Sequence, residues 1–498
     1  MVFSSMLFVL LFLAANLAAQ AFVKDIKKKN AVMLAFSLVF YAWAGVRYVA
    51  LLLGLTWVCW VCALLMEHIA DRHRKKCVLT VCVVLVLATL GVFKYTGFFL
   101  ENIRWVTGWP QSVPQIALPI GLSFYSFQLI SYVIDVYRRE TAAQQKYWLL
   151  LLYAGLFHQC VAGPIVRYSD VNDDILHRRV KGGEVSQGIS RFCVGLAKKA
   201  VLANGCAALA DSLLLYTEQG VAAASVAGLW LGAAVYALQI YLDFSAYSDM
   251  AIGMGLMCGF HYKENFNYPY IARSLTDFWK RWHISLTGWF RSYVYMPMAI
   301  SKSLRKLYKK WVGKYGRQKA NKLSILIPMA TVWLLTGLWH GAAWSYVLWG
   351  VWHGLWCALE GVGLIPANRP DKNSGARLLG HIYTLFVVLV GVILFRYEDF
   401  SVLGTAMKGL IGANGNVLLD YSTRLTLKNN LFFLLFCCVA STPLFKTLST
   451  KLRKVEKRNY LSRLFGGTWE VLCPVLLLAV SMMALAGNSY NPFLYFRF

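Results

Sequence analysis

Thr336-Gly337-Leu338-Trp339-His340-Gly341-Ala342-Ala343-Trp344 lies inside an apolar run from Leu323 to Leu359. A run of that length reads as membrane-embedded helix, and a histidine within it is a polar group where hydrocarbon tolerates one least. Imidazole takes and returns a proton near neutral pH, which makes His340 a candidate for chemistry; the competing reading is a hydrogen-bonded packing residue. Gly337 and Gly341 beside it permit close backbone approach or a local break of the helix. Further on, Gly350-Val351-Trp352-His353-Gly354-Leu355-Trp356 echoes the pattern and makes His353 a rival that pattern alone does not separate.

The rest of the chain repeats the apolar theme. Of 498 residues, 58% are hydrophobic, and the mean hydropathy is +0.52. Apolar runs recur along nearly the whole length, so the expected fold class is an all-α polytopic membrane protein. It reads as one membrane-embedded domain over residues 1–498, with about 11 spans plus re-entrant and interfacial helices. A net charge of +27 would suggest nucleic acid for a soluble chain. Here the Lys and Arg residues fall in short connections between apolar runs, the pattern of cytoplasmic loops facing anionic lipid, so the partner is the lipid bilayer and not nucleic acid. The 18 Trp and 27 Tyr suit interfacial belts and the lining of an internal cavity. Cys59, Cys62, Cys82, Cys437, Cys438 and Cys473 lie in apolar runs, where a thiol behaves as a small hydrophobe. Cys59-Trp60-Val61-Cys62 has no second pair and no nearby His, so neither a metal site nor a structural disulfide is expected.

Charge parity orders the spans. Val2 to Val23 is followed by Lys24, Lys27, Lys28 and Lys29, whereas a cleaved signal peptide carries its charge before the apolar region. It is expected to be a retained first span with its N-terminus outside. Ala31 to Ala44 and Tyr48 to Met66 lead back to the basic cluster Arg72 to Lys76; Cys77 to Val92 exits, and Pro114 to Val136 re-enters. Tyr147 to Gly163 is short, carries Gly155, His158 and Gln159, and ends at Gly163-Pro164, which suggests a re-entrant or broken segment. Val221 to Phe244 is the next expected span, followed by a helix over Met250 to Phe260 too short to cross. Ser301 to Asn321, dense in Lys and Arg, reads as a cytoplasmic loop. His340 follows Lys322 by a length that, as unbroken helix, corresponds to about 27 Å, so it lies far from the cytosolic surface. Ile365 to Arg377 reads as a polar connector, Leu378 to Phe395 as a span, and Glu398 to Asn429 as an external segment. Leu431 to Leu444 then returns to the basic run Lys446 to Arg463, Thr468 to Ala486 exits, and the aromatic tail Asn488 to Phe498 is extracytoplasmic, so both termini are expected outside.

A second histidine stands in Ser274-Leu275-Thr276-Asp277-Phe278-Trp279-Lys280-Arg281-Trp282-His283-Ile284-Ser285-Leu286-Thr287-Gly288-Trp289-Phe290-Arg291. Ser274 with Asp277 is a capping start. At helical periodicity Trp279, Trp282, Leu286, Phe290 and Tyr293 share a face that includes His283, which predicts an amphipathic interfacial helix with His283 turned inward.

The order of these stretches resembles one family. Pro119-Ile120-Gly121, Ala162-Gly163-Pro164, Asp243-Phe244-Ser245, Phe278 to His283 and Leu338-Trp339-His340-Gly341 together look like the membrane-bound O-acyltransferases, and most like the bacterial branch with the integral-membrane subunit of alginate O-acetylation. The likeness runs from Met1-Val2-Phe3-Ser4-Ser5 to Tyr490-Asn491-Pro492-Phe493-Leu494-Tyr495-Phe496-Arg497-Phe498. It implies a ring of helices around a thin centre where a cytosolic tunnel meets an external cavity. It places the family's catalytic histidine on His340 and its second polar position on His283, and it reads His158 as structural. Trp339, Trp282, Arg281, Ser285, Asp243 and Tyr247 become the expected substrate contacts.

The implied activity is O-acyl transfer. A neutral His340 would act as general base on a hydroxyl attacking a thioester, or would carry the acyl group itself. No bound cofactor is expected; acetyl-CoA or another acyl thioester is the expected donor, and an exported polysaccharide the acceptor. The chain has no Gly-x-Ser-x-Gly of its own, so a separate extracytoplasmic esterase-like partner is expected, in a bacterial inner or plasma membrane. Two alternatives stand beside this reading: D-alanyl transfer to teichoic acid from a carrier protein, and a non-enzymatic transporter built on the broken segments.

Overall fold

The computed structural model describes residues 2–114, 116–160, 163–366, 374–456 and 460–487, and the side chains of all of these but 160 and 452–467. The tail Asn488 to Phe498, Ala162 of the Ala-Gly-Pro motif, and parts of the 365–377 connector and of the Lys446 to Arg463 run lie outside them. Among the described residues the regular structure is helical throughout.

Eight described helices are long and apolar enough to cross a membrane. They belong to α1 (Val46–His68), α2 (Arg72–Thr107), α4 (Gly182–Leu213), α5 (Val226–Met257), α8 (Lys302–His340), α10 (Ser374–Arg396), α11 (Tyr421–Ala440) and α12 (Tyr460–Gly487). Among the shorter helices are α3 (Leu122–Arg138), α6 (Leu275–Arg281), α7 (Ile284–Phe290) and α9 (Trp344–Gly361). Val81, Val84, Leu85 and Leu87 on α2, and Val471, Leu472, Val475 and Leu476 on α12, face outward. Outward apolar strips of that extent are what a lipid-facing surface requires and a water-facing one avoids. The chain is an all-α, multi-pass membrane protein.

Helix α4 departs from the sequence reading, which passed from Gly163-Pro164 to Val221 with no span between them. Its Lys198 and Lys199 lower the apparent hydropathy, but both are paired: Lys198 Nζ lies 2.6 Å from Asp249 Oδ2, and Lys199 Nζ lies 2.9 Å from Asp243 Oδ1. Arg191 joins them, 2.9 Å from Asp249 and 2.5 Å from Glu264. These pairs also explain why α5 is one helix where two pieces were expected. Asp243 and Asp249 are met from the side by α4, so the backbone of α5 needs no break, and the piece over Met250 to Phe260 is its continuation. Small residues bring the two helices together: a Cβ on Gly188 would stand 2.6 Å from Gly253 O, and one on Gly195 2.8 Å from Ala246 O.

The expected continuous helix from Ser274 is also two helices. Trp282 is extended (φ −100°, ψ 128°) and His283 is left-handed (φ 43°, ψ 53°), so α6 ends at Arg281 and α7 begins at Ile284. The periodicity argument failed because the interrupted backbone finds other partners: Ile284 N donates to Asn265 O at 2.9 Å, and Asn267 N donates to Arg281 O at 2.9 Å. The start was legible, since Ser274 Oγ accepts from Asp277 N at 3.1 Å. The buried Glu360 carboxylate at the end of α9 adds to that cap, accepting from Leu275 N at 2.7 Å, Thr276 N at 2.8 Å and Thr276 Oγ1 at 2.6 Å.

The basic stretch after Ser301 is helical and not an open loop. It forms the first arm of α8, turns at Gly316 (φ 79°, ψ 164°), and continues helically through Pro328 to His340. Leu304, Leu307, Tyr308 and Trp311 line the covered side of the first arm while its lysines face out, and Tyr308 OH donates to Asn321 Oδ1 at 2.8 Å. Helical conformation from Lys322 onward leaves His340 at the far end of α8. Helices α8 and α9 then pack as a tight hairpin. A Cβ on Gly350 would stand 2.5 Å from Trp333 O, and one on Gly337 would collide with Tyr346 O. The glycines flanking His340 therefore serve close approach, with the helix ending in the extended Gly341 (φ −163°).

Candidate active site

The hairpin presents His340 and His353 to one cavity. That cavity is lined by Ile240, Asp243 and Phe244 of α5, Tyr270, Phe278 and Trp279, Trp282, His340, Trp349 and His353, and Val388, Val392 and Phe395 of α10. The walls are mostly apolar and aromatic, with a few polar groups at fixed positions, which is the character of a small-ligand site. His340 is buried, with its ring 4.9 Å from Trp349, 5.0 Å from Trp339 and 5.3 Å from Phe395, all near edge-on. Three aromatic neighbours fix the imidazole without using its nitrogens. Its Nδ1 has no hydrogen-bond partner among the described residues. A buried ring nitrogen without a partner is rare in a packing residue, and it is what a group that must take and return a proton needs.

His353 shares the cavity and shows the same features. Its ring stacks on Trp333 (5.8 Å, 23°), meets Trp279 at 5.1 Å and Trp349 at 5.0 Å, and its Nδ1 is also without a partner among the described residues. A Cβ on Gly391 of α10 would collide with its Nε2, so α10 holds this ring at the wall. The two differ in the backbone they stand on: His353 is in mid-helix, whereas His340 is the last residue of α8.

His283 stands behind the cavity wall. Its Nδ1 lies 3.2 Å from Asn265 Oδ1, an oxygen that also accepts from Ser285 N at 3.1 Å and Ser285 Oγ at 2.8 Å. Phe244 abuts the ring at 4.7 Å. The Trp339 indole touches both histidines, with ring centres 5.9 Å from His283 and 5.0 Å from His340. The left-handed backbone at His283 is strained for a side chain of this size, and it turns the imidazole inward.

The remaining candidates divide. Asp243 and Trp282 line the cavity, and Trp339 forms the partition between the histidines. Arg281 turns away: its Nε donates to Asp277 Oδ1 at 2.9 Å, one turn earlier on α6. Ser285 is occupied by backbone, accepting from Ile165 N at 2.9 Å, and so ties α7 to the segment after Gly163-Pro164. Tyr247 is wholly buried against the N-terminal segment, with Ser4 Oγ 3.2 Å from its hydroxyl and Phe3 at 5.8 Å. These three lie outside the cavity lining because α5, α6 and α7 spend those faces on packing. His158 contacts Tyr262 OH at 3.3 Å through Nδ1 and lies outside the lining too.

Sequence reasoning missed Asn265, Trp349, Phe395 and Lys94. Asn265 gave no signal, since its role depends on a contact with a residue 18 positions further along the chain, beyond α6. Lys94 did give one, a cation between Gly91-Val92-Phe93 and Phe98-Phe99-Leu100, but the apolar run had been ended at Val92. The side chain reaches the end of α8, where its Nζ donates to Trp339 O and, at 3.4 Å, to His340 O.

This arrangement, a buried histidine with an unpartnered nitrogen in an aromatic membrane cavity, suits proton transfer during attack on an acyl carbon. Comparison with known proteins decides the family. The profile described as "MBOAT, membrane-bound O-acyltransferase family" matches residues 39–363. The chain belongs to the membrane-bound O-acyltransferase family. It is 32% identical, over the full length of both chains, to a protein of Azotobacter vinelandii named "Probable alginate O-acetylase AlgI". It is 36% identical to the protein of that name from Pseudomonas aeruginosa, over 81% of this chain and 73% of the other. It is 27% identical to the "Peptidoglycan O-acetyltransferase" of Helicobacter pylori, over all of this chain and 98% of that one. This membrane-bound O-acyltransferase is thus an enzyme of acyl-group transfer in the alginate O-acetylase-like branch, and its matched region contains both His283 and His340.

Proposed function

We propose that this enzyme moves an acyl group, acetyl being the first choice, from a cytosolic thioester donor to an extracytoplasmic polysaccharide, working with a separate extracytoplasmic acyltransferase or esterase-like partner. The single observation that carries the reading is His340: buried, at the end of α8, lining the cavity, with Nδ1 unpartnered. Near full-length likeness to proteins named for alginate and peptidoglycan O-acetylation supports the acetyl group and the glycan acceptor. The acceptor hydroxyl, of the partner or of the glycan, attacks the thioester carbonyl. Its proton passes to His340, and the thiolate leaves and takes that proton, so the products are an ester and a free thiol. The cavity's aromatic wall excludes water from the reacting thioester. His283, held by Asn265 behind Trp339, orients this region, and Asp243 and Trp282 contact the substrate. The whole chain acts as one domain of the bacterial inner or plasma membrane with both termini outside.

The test is acyl-ester content of envelope polysaccharide in a null strain carrying wild type, His340→Ala or His283→Ala, with the amount of folded protein measured in membranes. Loss of ester with folded His340→Ala supports the reading, and the acid released from wild-type ester by alkali names the cargo: acetate, or D-alanine for the carrier-protein alternative. Unchanged ester in the null strain or in folded His340→Ala refutes it.

A further inference from the structure

A helix ends with four carbonyls that its own backbone does not satisfy, and in hydrocarbon they have no water to turn to. At the end of α8, Gly337 O still accepts from the backbone N of the cap residue Gly341 at 3.4 Å, and the next three carbonyls find side-chain donors: Leu338 O the Tyr95 hydroxyl at 2.7 Å, Trp339 O Lys94 Nζ, and His340 O Lys94 Nζ at 3.4 Å. These three donations come from two adjacent residues of α2. The same face of α2 grips the residues just beyond the turn: Phe98 packs on Trp344 with ring centres 5.5 Å apart, and Asn102 Oδ1 accepts from Trp344 Nε1 at 2.8 Å. The imidazole of His340 makes no polar contact through Nδ1, so its place in the cavity is set by aromatic packing and by the backbone from which it projects. A cation is also the favourable charge for the negative end of a helix, and its attraction is strongest where water is excluded.

We infer that Lys94 is a positioning residue for the acyl-transfer reaction: through the carbonyls of Trp339 and His340 it fixes the last turn of α8 and thereby the imidazole of His340. This rests on the reading of His340 as the reacting group. A mere hydrocarbon-facing lysine would extend toward the nearest polar boundary. Lys94 instead bends onto a helix end that carries the candidate base, and Tyr95 completes the clamp from the next position.

The experiment uses full-length enzyme in membranes and in detergent, as wild type, Lys94→Met, Lys94→Arg, Tyr95→Phe and His340→Ala. It has two readouts: turnover with its KM for acetyl-CoA, and the rate at which diethyl pyrocarbonate modifies His340 and His353, followed by peptide mass spectrometry. In folded Lys94→Met the turnover per molecule falls about 10²-fold, the loss that follows a displacement of about 1 Å in reacting groups. KM stays within about threefold of wild type, because ground-state binding is not what Lys94 supplies. Lys94→Arg, which keeps a cation able to reach the carbonyls, recovers at least about tenfold of that loss. Carbethoxylation of His340 accelerates while that of His353 does not change. Turnover of Lys94→Met within about twofold of wild type would overturn the inference, as would an equal loss in Lys94→Arg and Lys94→Met. If Lys94→Met does not fold, Lys94→Gln, which removes the charge and shortens the side chain, carries the test, and wild-type turnover and His340 reactivity in it overturn the inference. The two readouts keep two failures apart. If wild-type enzyme transfers no acyl group yet His340 reactivity responds to Lys94, the function is wrong and the positioning stands. If His340→Ala abolishes transfer and Lys94→Met does not lower it, the positioning is wrong and the function stands.

Discussion

Gly350→Ala tests whether the geometry of the site depends on how closely α8 and α9 approach. A Cβ at this position would stand 2.5 Å from Trp333 O and 3.3 Å from Gly337 Cα. Both obstacles are backbone, so no side-chain rotation relieves them, and the hairpin must open by about 0.9 Å to restore an ordinary 3.4 Å contact. Overpacking of this kind costs about 1–3 kcal/mol in a well-packed interior. The displacement falls next to Trp349, whose ring sits 4.9 Å from His340, and opposite Gly337, one turn before the histidine. A shift of about 1 Å in reacting groups lowers turnover about 10²-fold, equivalent to about 2.7 kcal/mol and so comparable to the upper end of the stability cost. The assay is a detergent melt followed by tryptophan fluorescence, with turnover measured on the same preparation. Gly54→Ala on α1 is the control, because nothing lies within 4 Å of its Cβ position. It should leave turnover unchanged and raise stability by about 0.4–1 kcal/mol through the unfolded chain. A Gly350→Ala enzyme that melts with wild type and turns over within about twofold of it would refute the reasoning.

Other expectations follow from the same geometry. Folded His340→Gln should lose about 10²–10⁴-fold in turnover, the span expected for removal of a general base, with abundance in membranes unchanged; a loss under tenfold would leave His353 as the better candidate. Lys199→Met alone removes the cation 2.9 Å from the buried Asp243 carboxylate and should destabilise by about 3–5 kcal/mol, whereas Lys199→Met with Asp243→Leu should regain most of that, as read by melting in detergent; equal losses in both would show that the ion pair does not act as a pair. Glu360→Gln keeps the shape of the cap on α6 but removes its charge and one acceptor, and should lower stability by about 1.5–3 kcal/mol, whereas an unchanged melt would mean that Ser274 alone holds the start of α6.

How much of this was legible depends on where each feature keeps its cause. Membrane-crossing helices such as α1, α2 and α10 were legible because their apolar length is a local property of the sequence. Helix α4 was not, because Lys198 and Lys199 are neutralised by carboxylates 44 to 51 residues away on α5. His283 does lie buried as the pattern with Trp279 and Leu286 predicted, but not for the predicted reason, because the continuous helix behind that pattern breaks at this residue. That break is stabilised by Asn265 and Asn267, in an irregular segment that carries no periodic signal. Of the candidate site, His340 and Trp339 stood out in the Leu338-Trp339-His340-Gly341 motif, and Asp243 in Asp243-Phe244-Ser245. Phe395 and Trp349 reach the cavity only through tertiary packing, and nothing in their neighbours distinguishes them from ordinary membrane aromatics.

The pairing of α4 with α5 bears on how the protein is made. These two are the most thoroughly covered of the eight candidate crossings, and the charged groups of one pair with those of the other. Alone in lipid, each would expose the charges that the other neutralises, and the insertion of either on its own would be disfavoured by several kcal/mol. A newly synthesised α4 therefore gains a stable place in the bilayer only when α5 emerges and meets it along the line of Gly188, Gly195 and Gly253. The inner pair sets the order of assembly: the hydrophobic outer helices can settle as they are made, and the charged centre must wait for its partner.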